Sequence, residues 1–306
     1  LFTLPMDVPF VHISATIPYG SAHNPEHGRC GTAHFLEHLI FERSALYPER
    51  NAFQRYIRQN GGNFDATTYP FYTHIYVEVP HEIGPAALEG LLSQIYEPLF
   101  NEHDLKSQRG TIANELRQRT KYFPGYTEIG HYLSARWLDE VPITIRQLFG
   151  NQRDIASLSI SDINTAHQNY HTEKTAFFVG GTFDEKIFAK QCASITSRPC
   201  TLRETFSYPH WKTKRRFHTK RFRDSNQPTL FTAGLTHDPT PEEITAIDFL
   251  GTAFVNSAHG PLNEWLRVEK GWSYGLYFNW YAHKHGATWI LEAPVSTESQ
   301  ATTVRN

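Results

Sequence analysis

Two histidines four residues apart, His34 and His38, flank a carboxylate at Glu37, and that spacing suits one kind of chemistry. The stretch from Thr32 to Phe41 has no Gly or Pro and holds Ala, Leu, Glu and Phe, which favours helix. On a helix, side chains four apart share a face about one turn apart, so both imidazoles can reach one metal ion. Neutral imidazole suits zinc, and zinc lowers the pKa of water far enough for a nearby carboxylate to take the proton. Glu37 follows His34 by three residues and adjoins His38, within reach of that water. The order inverts the commoner H-E-x-x-H zinc helix. An amphipathic helix carrying two surface histidines has the same spacing, so the reading depends on a third ligand.

A catalytic zinc site holds three protein ligands and leaves one position open. The segment from Asn101 to Tyr122 offers a carboxylate on a second helix. It opens with acidic residues beside an Asn and ends in Arg and Lys, as helix caps and the helix dipole prefer. Leu105, Ile112 and Leu116 can face a core, and Gln108 and Glu115, seven apart, lie nearly on one face. Taken alone, Glu115 reads as an exposed helix carboxylate.

With these residues in view, the chain resembles the inverzincin zinc metallopeptidase family that includes pitrilysin, insulin-degrading enzyme and the mitochondrial processing peptidase. That family carries H-x-x-E-H on one helix and a Glu ligand about 77 residues beyond the second His, a count that runs from His38 to Glu115. Gly31-Thr32-Ala33 before the motif, His38-Leu39-Ile40-Phe41 within and after it, and the turn Gly61-Gly62-Asn63-Phe64-Asp65-Ala66 are similar to family segments. So is Leu262 to Tyr274, where Arg267 and Tyr274 match an Arg and a Tyr that reach the substrate.

The resemblance implies zinc held by His34, His38 and Glu115, with Glu37 as general base and Arg267 and Tyr274 at the substrate. It implies an endopeptidase for short or unfolded peptides, enclosed between two halves of two domains each. A chain with one half is then expected to pair, as a homodimer or with a homologous partner subunit. Gln108 stands where the family has a second Glu, Asp65 where it has Asn, Val268 where it has Glu, and Trp272 where it has Leu. Gln108 keeps a second reading open, a non-catalytic homologous subunit that binds peptide or supports a catalytic partner.

The elements that must position these residues form an α+β pattern. Pro9 to Pro18 alternates with strand periodicity, followed by the His34 helix and a helix from Glu49 to Gln59 that stops at Gly61-Gly62. Strands are expected over Asn63–Thr68 and Phe71–Val79. Helices are expected over Glu82–Tyr96, Asn101–Tyr122, Tyr126–Trp137 and Ser161–Tyr170, the last capped by Ser161 and Asp162. A buried strand over Thr175–Gly181 and a helix over Asp184–Ser197 complete this part.

Periodicity lapses between Ser197 and Lys212, which sets expected domains of 1–200, carrying the metal, and 201–306. The second part repeats the order coarsely, with strands Arg215–Phe222 and Thr229–Leu235, helices Pro241–Asn256 and Pro261–Glu269, and strands Ser273–His283 and Ala287–Ala293. The expected class is two related α+β domains, each a mostly antiparallel sheet with helices packed over it. Leu1 reads as a trimmed or incomplete start, and Ser299–Asn306 as a helix whose continuation is missing.

Composition sets outer bounds. The 306 residues are 40% hydrophobic and 20% charged, which fits a globular protein with room for two cores. Lys and Arg number 29 against 31 Asp and Glu, so no global field selects nucleic acid or an anionic surface. No apolar run is long enough for a helical membrane span. The three cysteines, Cys30, Cys192 and Cys200, are irregularly spaced, which argues against a disulfide framework and favours a reducing compartment such as the cytoplasm. The basic run Lys212 to Arg223 fits a charged edge strand better than a nucleic-acid patch. His283 and His285 lack a carboxylate or Cys partner nearby in sequence, and Gly180-Gly181 and Gly260 have no phosphate-loop context.

Overall fold

Val11, Ile13, Ala15 and Ile17 alternate along strand β2 (Phe10–Ile17) and are all fully buried, so one face of this strand carries the core of the first half. The computed structural model describes residues 1–24, 29–122, 150, 152–170, 173–195, 228–283 and 286–305. Its chain divides into two compact units, Leu1–Lys212 and Thr213–Asn306.

In the first unit β2 lies at the centre of a five-stranded sheet. It pairs antiparallel with β4 (Thr73–Pro80) on one side and β5 (Ala176–Gly181) on the other. Among the described residues, antiparallel strand β3 (Asn63–Thr68) lies beyond β4 and forms one edge. Beyond β5, the short strand β1 (Phe2–Pro5) pairs in parallel and forms the other edge. The β1 strand is absent from the sequence expectations. Its four residues are all exposed, so it has no buried face to produce an alternation.

Helix α1 (Thr32–Ile40) leaves Gly31, whose φ of 88° is a left-handed conformation that glycine adopts at least cost. Asn24 Oδ1 accepts from Ala33 N at 2.9 Å, satisfying one open donor of the first turn. Every residue of α1 except His38 is buried, because it runs between the sheet and α4 (Glu102–Tyr122). Asn101 caps α4, its Oδ1 accepting from Asp104 N at 2.9 Å, while its Nδ2 donates to Asp104 Oδ2 at 2.6 Å. Helices α2 (Ala52–Gln59) and α3 (Gly84–Tyr96) complete this part of the layer, and Phe53, Ile57, Leu88 and Leu91 from them join the same core.

Further along, α5 (Gln152–Ser157) is an addition to the expected elements, and α6 spans Ile160–His167. The cap of α6 is Ser159 rather than Ser161. Its Oγ accepts from Asp162 N while Asp162 Oδ2 accepts from Ser159 N at 3.0 Å, a reciprocal box that Ser161, two residues later, is too close to Asp162 to make. Helix α7 (Glu185–Ala193) is the last described element of this unit.

In the second unit, β6 (Thr229–His237), β7 (Tyr277–His283) and β8 (Gly286–Pro294) form an antiparallel sheet in the order β6-β8-β7. Helix α8 (Pro241–Gly251) starts at Thr240 in a capping box with Glu243 and passes into a π-helical turn over Thr252–Asn256. The next helix, α9 (Pro261–Asn263), also opens into a π-helical stretch, Glu264–Glu269. The sequence expectation of ordinary helix to Asn256 and Glu269 is corrected there, because the hydrogen bonds close five residues back, as in Lys270 N to Trp265 O at 3.0 Å. Val255, Leu266, Leu276, Ala293 and Val295 make this unit's core, and α10 (Glu298–Arg305) packs against β6.

Both units are thus helices with largely antiparallel sheet, an α+β fold in which β1 with β5 is the one parallel pair among the described residues. The expected helix at 126–137, the strand at 215–222, the basic run, Cys200, His285 and the span from 196 to 227 that contains both the expected and the observed division lie outside the described residues.

Candidate metal centre

Helix α1 brings His34 and His38 to one side, with their Nε2 atoms 3.3 Å apart. From α4, Glu115 Oε2 stands 3.6 Å from His34 Nε2 and 3.5 Å from His38 Nε2. Three donor atoms from two helices therefore form a nearly equilateral triangle. A tetrahedral zinc ion with bonds of about 2.0–2.1 Å would hold neighbouring ligand atoms about 3.3 Å apart. The donor set and its spacing fit that ion, and the sequence-predicted trio His34, His38 and Glu115 is brought together.

Glu37 belongs to the same cluster. His34, Glu37 and His38 each offer a ligand atom within 4.8 Å of the others. Thr68, the last residue of edge strand β3, donates from Oγ1 to Glu37 Oε2 at 2.5 Å and fixes the carboxylate. Burial raises the pKa of Glu37; the Thr68 hydrogen bond and the nearby His38 oppose this, and the Glu115 charge reinforces it, leaving it above the ordinary Glu value. A carboxylate shifted upward is better matched to proton transfer near neutral pH. At His38, burial acts to lower the pKa, but Glu115, Glu37 and Gln108 outweigh it and leave it raised.

Behind His38 runs a hydrogen-bonded chain that the sequence reading reached only at Gln108. Gln108 Oε1 accepts from His38 Nδ1 at 3.1 Å, and Gln108 Nε2 donates to Glu42 Oε1 at 2.5 Å. Glu42 is buried and also accepts from Arg50 Nε, while Arg50 Nη2 donates to Ser107 Oγ at 2.9 Å. The Arg50 pKa is raised by its hydrogen bond to Glu42. Thr68, Glu42 and Arg50 were not among the sequence candidates. The one signal available was Glu42-Arg43, a charged pair directly after the apolar run Leu39-Ile40-Phe41.

Asp65 lies on β3, and its Oδ1 accepts from Ala66 N at 2.9 Å. Arg267 and Tyr274 belong to the second unit. They touch each other, the guanidinium carbon lying 5.1 Å from the Tyr274 ring centroid, and the Tyr274 side chain is 84% exposed. Cys30 and Cys192 are free thiols.

Comparison with known proteins adds independent findings. Residues 6–125 match the family model described as Insulinase (Peptidase family M16), and residues 157–304 match Peptidase M16 inactive domain. Protease 3 of Escherichia coli (strain K12) is 34% identical over 100 residues, 33% of this chain and 10% of that protein. An insulin-degrading enzyme homolog of Dictyostelium discoideum is also 34% identical over 100 residues, with the same coverage of 33% and 10%. These alignments span only a small part of the relatives' own length. Among solved structures, a protease from Helicobacter pylori superposes with a TM-score of 0.78 at 16% identity, covering 99% of this chain and 75% of that one. Pitrilysin superposes with a TM-score of 0.66 at 19% identity, covering 99% and 33% respectively. The structural likenesses establish the fold, the two family models cover most of the sequence, and the chain belongs to the insulinase family of peptidases.

Proposed function

We propose that the chain is a zinc-dependent endopeptidase acting on short or unfolded peptides. The observation that carries this reading is the triangle of His34, His38 and Glu115 donors with the buried Glu37 carboxylate beside it. Zinc at these three residues would supply Lewis-acid chemistry, polarising a peptide carbonyl and acidifying water. Glu37 takes the proton from the attacking water and returns it to the leaving amine. Thr68 holds the Glu37 carboxylate in place through the hydrogen bond to Oε2.

Substrate access follows from the sheet. Among the described residues strand β3 is an edge, and its Thr68 end contacts Glu37, so a peptide added to that edge as a further strand would pass the donor cluster. An unfolded peptide can adopt that extended form, which favours unstructured substrates over folded ones. Gln108 is the ground for a non-catalytic role, yet it hydrogen-bonds His38 and so supports the donor set rather than removing part of it.

Arg267 and Tyr274 suit the binding of a peptide carbonyl and of the developing oxyanion. The family resemblance assigns such a pair to the half opposite the metal, so the working site is composite, with Tyr274 supplied by a partner chain in a homodimer or by a homologous subunit.

The test is cleavage of a quenched unstructured peptide by the zinc-loaded chain, followed by mixing of two inactive variants. A Glu37→Gln chain and a Tyr274→Phe chain are each expected to be inactive or nearly so, since loss of one oxyanion donor costs about a hundredfold or more. Their mixture should recover part of the activity, because one of the two sites in a mixed dimer is intact. Mixed dimers that form without any rescue would overturn the composite site. Absence of cleavage by the zinc-loaded wild type would favour the non-catalytic subunit.

A further inference from the structure

Gln108 has an amide that can point either way, and its direction decides which nitrogen of His38 carries the proton. If the amide oxygen faces His38, Nδ1 must donate and Nε2 keeps its lone pair for the metal. If the amide nitrogen faces His38, Nδ1 must accept, and Nε2 bears a proton that blocks ligation. The other side of Gln108 settles the direction. Glu42 is a buried acceptor, 2.5 Å from Gln108 Nε2, and both of its oxygens are engaged by donors, Oε2 by Arg50 Nε and Oε1 by Gln108 and by Arg50 Nη2 at 3.3 Å. A carboxylate there cannot donate to an amide oxygen, and Arg50, held protonated by its bond to Glu42, fixes it as an acceptor.

We infer that Glu42 is a positioning residue for the metal centre, acting through Gln108 to hold His38 in its Nδ1–H tautomer with Nε2 turned to the ion. This inference rests on the zinc-site reading above and extends it to residues that touch no ligand atom of the site. The carboxylate that orients the histidine stands one residue removed, with the Gln108 amide passing its polarity on. The same geometry shows why Gln108 is glutamine here. A glutamate at 108 would face Glu42 at hydrogen-bond distance, and two buried carboxylates so close cannot both be charged without a large penalty.

The test uses the full chain, with zinc affinity from chelator competition and the ring-nitrogen NMR signals of His38 in zinc-free protein at a pH where the imidazole is neutral. Wild type is expected to show a protonated Nδ1 and an unprotonated Nε2. Glu42→Gln, nearly the same size, should show both tautomers and bind zinc about 10–100-fold more weakly, the usual cost of losing a partner behind a metal ligand. Gln108→Glu alone should also weaken zinc binding. The double variant Glu42→Gln with Gln108→Glu restores one carboxylate and one amide in exchanged order, and should recover both the Nδ1–H signal and near wild-type affinity.

A role in packing alone would make the double variant no better than the singles, and that result overturns the inference. So does an unchanged tautomer in Glu42→Gln. Wild type that binds no zinc, yet shows the Nδ1–H tautomer and its loss in Glu42→Gln, would contradict the zinc reading while supporting the relay.

Discussion

Glu115→Ala is expected to lose zinc while the fold remains. Glu115 is the only carboxylate in the donor triangle and comes from a helix separate from the two histidines. Its removal leaves two neutral imidazoles on α1, too few ligands for a catalytic site and none with a compensating charge. Since partners behind a ligand already contribute about 10–100-fold in affinity, loss of a ligand should cost more than about a hundredfold. His34→Ala and His38→Ala should behave alike. Chelator competition on each purified variant, with circular dichroism to verify folding, measures this. A folded Glu115→Ala chain with wild-type zinc affinity would remove Glu115 from the ligand set.

Glu37→Gln should separate binding from chemistry. The glutamine keeps an oxygen for the Thr68 hydroxyl, so the local packing and the three donors survive. What disappears is the group that accepts a proton, and removal of a positioned general base typically costs about a hundred- to ten-thousandfold in rate. The variant should therefore retain about one zinc per chain and lose peptide cleavage by that factor, measured as kcat on the quenched peptide. Cleavage at the wild-type rate would show that another residue moves the proton.

How far the sequence revealed this site depended on the range of each contact. His34, Glu37 and His38 were readable from spacing because helix geometry alone puts them together. Glu115 was not readable in that way, since its contact with His38 crosses from one helix to another and only the family spacing linked the two positions. Gln108 was visible as a neighbour of Glu115 on one helix face, but its partner Glu42 was not, because nothing local announces a contact between Glu42 and Gln108. Thr68 escaped for the same reason, as an ordinary strand residue that meets α1 only in the folded chain.

The fold divides similarly. Strand β2 announced itself through alternating buried residues, and α4 through its Asn cap and charge order. Strand β1, exposed along its whole length and paired in parallel, carried no pattern to read. The π-helical turns at Thr252–Asn256 and Glu264–Glu269 differ from ordinary helix by one residue in hydrogen-bond span, which apolar periodicity does not register. At Ser159 the signal was present, an Asp three residues later, and the competing Ser161 obscured it.

His34, His38 and Glu115 together are expected to hold one zinc ion. Anomalous diffraction from crystals of the zinc-loaded chain, recorded on either side of the zinc absorption edge, tests it most directly. The expected result is a single peak per chain within about 2.0–2.2 Å of His34 Nε2, His38 Nε2 and a Glu115 oxygen. A peak elsewhere, or one bonded to the histidines with Glu115 turned away, would contradict it.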